Sequence, residues 1–393
     1  MVVMRTRHVA LLVETSNAYA RGLLVGVKKY VEEHPHWSLY LAEHSRHETD
    51  FSWLEGWHGD GVLARIENEG TARFIRRLDL PTVDLSAARL VPELPGVETD
   101  DGTIARWAVG HFAERGLRNF AFCGDEQFAW SVKRSEWFAG HVRRRGATPH
   151  QFRMTSSGMR AADRERIAAW LAELPKPVGV LACYDIAGQE VLEACKIAGL
   201  AVPDAVAVIG VDNDELIGNL TTPPLSSIEP NTTATGYMAA HLLDLMMQGQ
   251  TLEPGLRLIE PTRIVARQSS DILAVDDPLV SAALRFIRSR SDQNIAVSTV
   301  LRHVGLSRRA LDLRFAATLG RTVHGEIIRV RMGHVAELLS STDWTLQQIA
   351  ERLDFSHSEY MSVAFKKYTG TSPGQYRRTV NGSVARQSFR QQP

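Results

Sequence analysis

Five polar clusters stand where short apolar runs end, and their side chains suit one kind of chemistry. They are Glu14 to Tyr19, Arg65, Trp130 to Arg134, Asp185, and Asp212-Asn213. Open α/β sheets bind ligands outside the carboxyl ends of their strands. A polyhydroxylated ligand needs acceptors and donors in alternation, and an aromatic face for its C–H side. Asp and Asn, Arg, and Trp supply these three functions. The candidate ligand-binding set is therefore Glu14, Tyr19, Trp130, Arg134, Asp185, Asp212 and Asn213, with Trp130 placed to stack on a pyranose ring. Plainer roles are open too: Asp185 and Asp212 could cap the helices that follow, and Trp130 could be loop packing.

A second chemistry sits near the C-terminus, in a pattern that repeats after fifty residues. Leu311, Phe315, Gly320 and Thr322 recur as Met361, Phe365, Gly370 and Ser372. Each copy follows a short amphipathic stretch and a turn, Gly305-Leu306-Ser307 and then Asp354-Phe355-Ser356. A short helix, a tight turn and a second helix opened by a small hydroxyl form a helix-turn-helix. Two in tandem suit two successive major grooves. Ser307 is the expected cap of the first reading helix, with Arg308, Arg309 and Asp312 outward. In the second copy His357, Ser358, Glu359 and Ser362 point outward. Arg can grip guanine and Glu can accept from cytosine N4, whereas Lys366, Lys367, Arg377 and Arg378 suit phosphates.

These residues need elements to hold them. From residue 8, short apolar runs (His8–Val13, Gly61–Arg65, Pro81–Leu85, Phe120–Cys123, Gly179–Cys183, Val206–Val211) alternate with amphipathic helical stretches. That alternation predicts parallel sheets covered by helices on both faces. The length of this part is natural for two α/β lobes. We expect a two-lobed α/β domain over 1–270, a polar, acidic linker over 271–279, an all-α domain with two helix-turn-helix motifs over 280–380, and a disordered tail over 381–393. Within the third part, Glu326–Leu339 reads as one longer helix holding the two copies apart.

Composition narrows the function. Lys+Arg and Asp+Glu balance at 45 each, but residues 281–393 hold 17 basic and 8 acidic side chains, leaving 28 and 37 in the rest. A basic C-terminal third on an acidic body is the footprint of one nucleic-acid module. Cys123, Cys183 and Cys195 are too few and scattered for a disulfide framework, and Cys123 and Cys183, at the ends of apolar runs, read as buried thiols. No apolar stretch reaches the ~18 residues of a membrane span, and the start is too short in apolar residues for a signal peptide, so a cytoplasmic protein is expected. Neither His34-Pro35-His36 nor His44-x-x-His47-Glu48 has good metal spacing. Neither a phosphate-binding loop nor a nucleophile elbow occurs. No metal or cofactor is expected.

Ile349-Ala350, Phe355, Phe365-Lys366-Lys367, Gly370, Ser372-Pro373 and Tyr376-Arg377 resemble the signature of the AraC family of bacterial transcription regulators. The resemblance covers Leu284 to Arg378. One departure is Asp354, where that family usually has Gly; Asp tolerates the left-handed conformation better than most residues. Val206 to Gly236, together with Gly59-Asp60-Gly61-Val62, Asp100 and Arg134, resembles the sensor fold of the LacI/GalR family, akin to periplasmic sugar-binding proteins. That resemblance spans roughly residues 5–268 and implies hydroxyl-binding positions at Arg134, Asp185 and Asp212. Tyr184 stands where that family often has Asn. No headpiece of that family is expected ahead of the sensor, and such a sensor joined to an AraC-type reader resembles bacterial activators of pentose operons.

The resemblance implies a ligand-responsive activator with a pentose effector, D-xylose foremost. It also implies a homodimer on DNA direct repeats about one helical turn apart, and RNA polymerase as a further partner. The alternative from the residues alone is a carbohydrate-active enzyme fused to a DNA module, with Asp185 and Asp212 as acid and base. A third is an architectural DNA binder that senses nothing.

Overall fold

The computed structural model describes residues 5–42, 51–54, 56–154, 161–272 and 277–378. His44, His47 and Glu48, part of the expected linker (273–276) and the expected tail lie outside the described residues. The chain forms two compact units, Met1–Leu273 and Ala274–Pro393.

The first unit opens with β1 (Arg7–Leu12), α1 (Ala18–Glu33), β2 (Trp37–Leu41), β3 (Gly61–Ala64), α2 (Glu69–Leu78), β4 (Thr82–Asp84) and β5 (Pro95–Thr99). It continues through α3 (Asp101–Glu114), β6 (Asn119–Asp125), α4 (Ala129–Arg144), β7 (Pro149–Met154), α5 (Ala161–Glu173), β8 (Val178–Ala182), α6 (Asp185–Ile197), β9 (Val206–Val211), α7 (Glu215–Leu220) and β10 (Ser226–Glu229). The last elements are α8 (Thr232–Met247), β11 (Gly255–Ile259) and β12 (Arg263–Val265). Two six-stranded sheets result, in the orders β11-β5-β4-β3-β1-β2 and β12-β10-β9-β8-β6-β7. All pairings are parallel except β10 with β12. This is the expected two-lobed architecture.

The apolar runs identified in the sequence are the central strands, β3, β8 and β9 being buried along their whole length. The strands that sequence patterning missed are mostly at or next to sheet edges. At the edges the apolar run is broken by exposed residues, as in the half-exposed Arg263–Val265, whereas β5 and β10 are short strands buried along all or most of their length. β5 begins at Pro95, which argues against a strand when read locally.

The chain crosses between the sheets three times: from β5 into α3, from β10 into α8, and from β11 into β12. The crossings are tied to one another. Asp100 N–H donates to the Ile259 carbonyl and Thr262 N–H to the Glu229 carbonyl, both at 2.9 Å. On the first lobe α1 and α8 pack backbone to backbone: a Cβ on Gly26 would lie 2.1 Å from the Thr233 carbonyl oxygen. Only glycine allows that approach.

The second unit is helical: α9 (Pro278–Arg288), α10 (Val297–Val304), α11 (Arg308–Leu319), α12 (Val323–Ser341), α13 (Leu346–Arg352) and α14 (Ser358–Thr369). Residues 373–378 are also helical. The α10–α11 and α13–α14 pairs are the two helix-turn-helix motifs, and α12 is the longer helix between them. Leu311 and Phe315, and then Met361 and Phe365, are the buried anchors of the two second helices. Gly320 and Gly370 end those helices in the left-handed conformation.

The copies differ at their turns. Gly305 caps α10 with φ +70°, and Ser307 caps α11, its Oγ accepting from Ala310 N–H at 3.3 Å. In the second copy Asp354 is left-handed at φ +53°, and the cap of α14 is His357 without a side-chain hydrogen bond. The expected capping hydroxyl is therefore present only in the first copy. The cap follows the left-handed residue by two positions in the first copy and by three in the second, which moves Ser356 out of the capping position.

Arg331 of α12 compensates for the missing glycine. It is 4% exposed. Its guanidinium donates to Asn294 Oδ1 at 2.9 Å, to the Leu353 carbonyl at 2.9 Å and to the Asp354 carbonyl at 3.2 Å. It also lies 3.8 Å from the Phe355 ring centroid. The Asp354 carboxylate in turn accepts from Asn294 N–H at 3.0 Å. Arg331→Ala should leave these acceptors unsatisfied and destabilise the second motif by about 2–4 kcal/mol. Arg331→Lys, which keeps the charge without the planar fork, should recover less than half. Hydrogen exchange of peptides covering 346–370 in the full chain measures this; unchanged protection in Arg331→Ala would mean that the turn holds itself.

Candidate ligand cleft and nucleic-acid interface

The carboxyl ends of the two sheets frame a small, partly open cleft. Tyr19, Arg65 and Glu98 reach it from the first lobe, and Trp130, Arg134, Tyr184 and Asp212 from the second. Of the sequence candidates, the structure thus gathers Tyr19, Trp130, Arg134 and Asp212 on one cavity. Glu14, Asp185 and Asn213 stand behind it.

Arg65 follows β3 and is buried. Its guanidinium donates to Glu14 and, at 2.7 Å, to Glu67 Oε1, and it lies 5.2 Å from the Tyr19 ring centroid. Glu14 orients this arginine. Arg65 Nε is buried with no hydrogen-bond partner among the described residues. Tyr19 Oη donates to Glu98 Oε1 at 2.5 Å and lies 3.1 Å from Thr99 Oγ1. Burial pushes the Glu98 carboxyl up to about 7, against the opposing pull of Arg65. Glu98 was not singled out from the sequence. Its only signal was a lone acid in a run that begins with proline.

On the second lobe, Trp130 and Arg134 lie one turn apart on α4. Trp130 is helical, contrary to the loop-packing reading. Its ring stacks on Phe128 at 5.3 Å and 12° and meets Tyr184 edge-on at 5.6 Å. Arg134 Nε donates to Asp101 Oδ1 at 2.7 Å, Nη2 lies 2.6 Å from the same oxygen, and Nη1 donates to the Cys183 carbonyl. A guanidinium has five N–H donors, so these contacts leave capacity toward the cleft.

Asp212 takes φ +111° and Asn213 φ +49°. Such conformations cost a non-glycine residue about 1–3 kcal/mol and persist only where the surroundings enforce them. Asp185 and Asn213 do the enforcing. Asp185 accepts from Ser227 Oγ at 2.6 Å and from Asp214 N–H at 2.7 Å. Asn213 N–H donates to Ser227 Oγ at 2.9 Å, and Asn213 Oδ1 accepts from Arg267 at 2.9 Å. A Cβ at Gly210 would lie 2.2 Å from Asp185 Oδ1, so the glycine makes room for the carboxylate. Asp185 is a strut beneath Asp212, not a wall of the cleft.

In the second unit the structure divides the expected DNA contacts by exposure. Arg308, Arg309, His357, Glu359, Lys366 and Lys367 are exposed, and Ser358 and Ser362 are half-buried. Three others have internal tasks. Ser307 is the helix cap. Asp312 accepts from Val323 N–H at 3.1 Å and lies 3.7 Å from Arg308. Arg377, expected at a phosphate, instead donates to the Leu339 carbonyl at 3.2 Å and the Trp344 carbonyl at 2.6 Å. Those bonds hold the last helical segment against the end of α12. Arg378 is exposed.

Glu98 gives a test of the cleft's electrostatics. A carboxyl raised by burial from 4.5 to about 7 binds its proton more tightly when folded. Stability is therefore greatest below the unfolded value and declines as pH rises between the two. Glu98→Gln should stabilise the ligand-free protein by ~1–3 kcal/mol above pH 7, with no gain below pH 4.5. Urea unfolding at both pH values checks this, and an equal effect at both would mean that folding does not raise the Glu98 carboxyl.

Comparison with known proteins gives matches along most of the chain. Residues 8–101 match a family described as the XylR N-terminal domain, 109–270 a periplasmic binding protein-like domain, and 300–379 a helix-turn-helix domain. The xylose operon regulatory protein of Escherichia coli K12 is 30% identical over 390 residues, covering 96% of this chain and 98% of that one. Its counterpart in Haemophilus influenzae is 28% identical, covering 94% and 97%. The solved structure of a xylose-binding transcription activator superposes with a TM-score of 0.80 at 28% identity, covering 96% and 99%. These relatives are named as regulators, which sets aside the enzyme alternative. The chain belongs to the family of xylose operon regulatory proteins, transcription regulators that join a periplasmic-binding-like sensor to a helix-turn-helix domain.

Proposed function

We propose that this chain is a pentose-responsive activator that binds D-xylose in the cleft and operator DNA through α11 and α14. The observation that carries the reading is the cleft: Glu98 and Asp212 as acceptors, Arg65 and Arg134 as donors, and the Trp130 ring beside them. Alternating donors and acceptors around an aromatic face suit a small polyol. The names of the full-length relatives favour xylose. Arg308, Arg309 and Glu359 read bases, and Lys366 and Lys367 meet phosphates. The protein acts as a homodimer on direct repeats about one helical turn apart, from which it engages RNA polymerase. The linker is the stretch from 271 to the cap of α9 at Asp277; Pro278 and Leu279, expected within it, belong to α9.

Asp212→Ala should remove charge-assisted hydrogen bonds worth ~1.5–3 kcal/mol and weaken D-xylose binding roughly 10- to 150-fold. The fold should persist, since the residue follows a strand end and lies outside the core. Calorimetry with a panel of pentoses and hexoses is the measurement; undiminished affinity in a folded variant would remove Asp212 from the site.

Sugar and DNA should also be coupled. Arg21 of α1 lies 3.9 Å from Asp214 at the start of α7, so the lobes approach one another beside Asp212 and a ligand that favours closure tightens this contact. Any effect of sugar on DNA affinity must equal the effect of DNA on sugar affinity, with a coupling of ~1–3 kcal/mol. Titrating each ligand with and without the other measures both. Two indifferent titrations would make this a DNA binder that the sugar does not control.

A further inference from the structure

The second unit exposes two apolar side chains that its packing does not use. Leu313 is 63% exposed and Val363 is 69% exposed, the highest values among the large hydrophobic residues described in this unit. A single exposed apolar residue on a surface means little. These two are separated by fifty residues, the same offset that relates Phe315 to Phe365. They therefore occupy equivalent places on α11 and α14.

Their helical setting is equivalent as well. Leu311 and Phe315 bury one face of α11, and Met361 and Phe365 bury the same face of α14. Leu313 and Val363 lie between these anchors, turned away from the core. One turn earlier on the same face stand Arg309 and Glu359, also fifty apart and both exposed. Each second helix thus presents a charged residue followed one turn later by a bare apolar one. Around them Arg308, Lys366 and Lys367 are exposed cations, a charge setting suited to a polyanion and unsuited to an apolar protein partner.

The major groove offers one apolar feature, the 5-methyl group of thymine, which side-chain hydrocarbon recognises by contact. We infer that Leu313 and Val363 each read a thymine methyl, next to the base edges read by Arg309 and Glu359. Each motif then adds one apolar contact to its polar reading of the site. The inference rests on the DNA-reading function proposed above and adds the chemistry of two specificity-determining residues to it.

The test uses the full chain and duplexes selected by it from a random-sequence library. Thymines in the selected duplex are replaced one at a time by deoxyuridine, which removes only the methyl group. Wild-type protein should lose about fourfold in affinity at one position in each half of the site, the loss expected for one buried methyl-sized group. Leu313→Ala should abolish the effect at one of these positions and keep it at the other, and Val363→Ala should do the reverse. Both side chains are exposed, so both variants should fold, with circular dichroism as the check. Uracil replacement without effect, or equal methyl sensitivity in wild type and both variants, would overturn the inference while leaving DNA reading intact. Failure of the wild type to enrich any sequence would overturn DNA reading and the inference together.

Discussion

A buried guanidinium needs acceptors that meet its donors, and the sensor is organised around two that carboxylates meet. Arg65 and Arg134 lie 7% and 4% exposed at the base of the cleft. Removing such a charge from water costs several kcal/mol unless good partners meet it. Glu14 and Glu67 meet Arg65, and Asp101 meets Arg134. These carboxylates fix the fork of each arginine before any ligand arrives, and a site whose donors are already oriented loses less entropy on binding.

The partner of Arg134 also places the cleft next to the hinge. Asp101 is the first residue of α3, directly after the chain crosses from one sheet to the other. The preceding residue, Asp100, is hydrogen-bonded to a second crossing at Ile259. A ligand that draws on Arg134 thus acts on a side chain anchored where the lobes are joined. The strained Asp212 is a complementary device, held at φ +111° by buried polar bonds behind it. Strain of this kind is maintained only when neighbouring structure over-determines it, and here Asp185, Ser227, Asn213 and Arg267 supply that structure.

The helical unit shows how a repeated motif tolerates a broken rule. The first turn uses Gly305 and the second uses Asp354, in the same left-handed region. The second copy also lacks a side-chain cap on α14. Both deficits fall on the motif that Arg331 holds from α12. A buried arginine that ties down a turn is unusual as a source of stability, because much of its benefit is spent on desolvation. Its value lies in geometry: it fixes where α14 begins.

What the sequence determined by itself is local and periodic. The central strands were legible because a strand buried on both faces is a continuous apolar run, and the reading helices because Phe315 and Phe365 recur with their glycines at one offset. The left-handed turn at Asp354 followed from the residue type its family usually places there. Tertiary structure decided which polar side chains share a surface. Asp185 and Asp212 look alike in sequence, each an acid just after a strand, yet Ser227 and the Asp214 backbone draw one into the interior while the other lines the cleft. Glu98 joined the site because β5 lies beside the first crossing, and Arg377 left the expected interface because carbonyls of distant residues lie within reach. Periodicity reports burial, which each residue signals through its own neighbours. A hydrogen-bond partner fifty or a hundred residues away leaves no such signal, so the role of a charged group is settled only when the chain has folded.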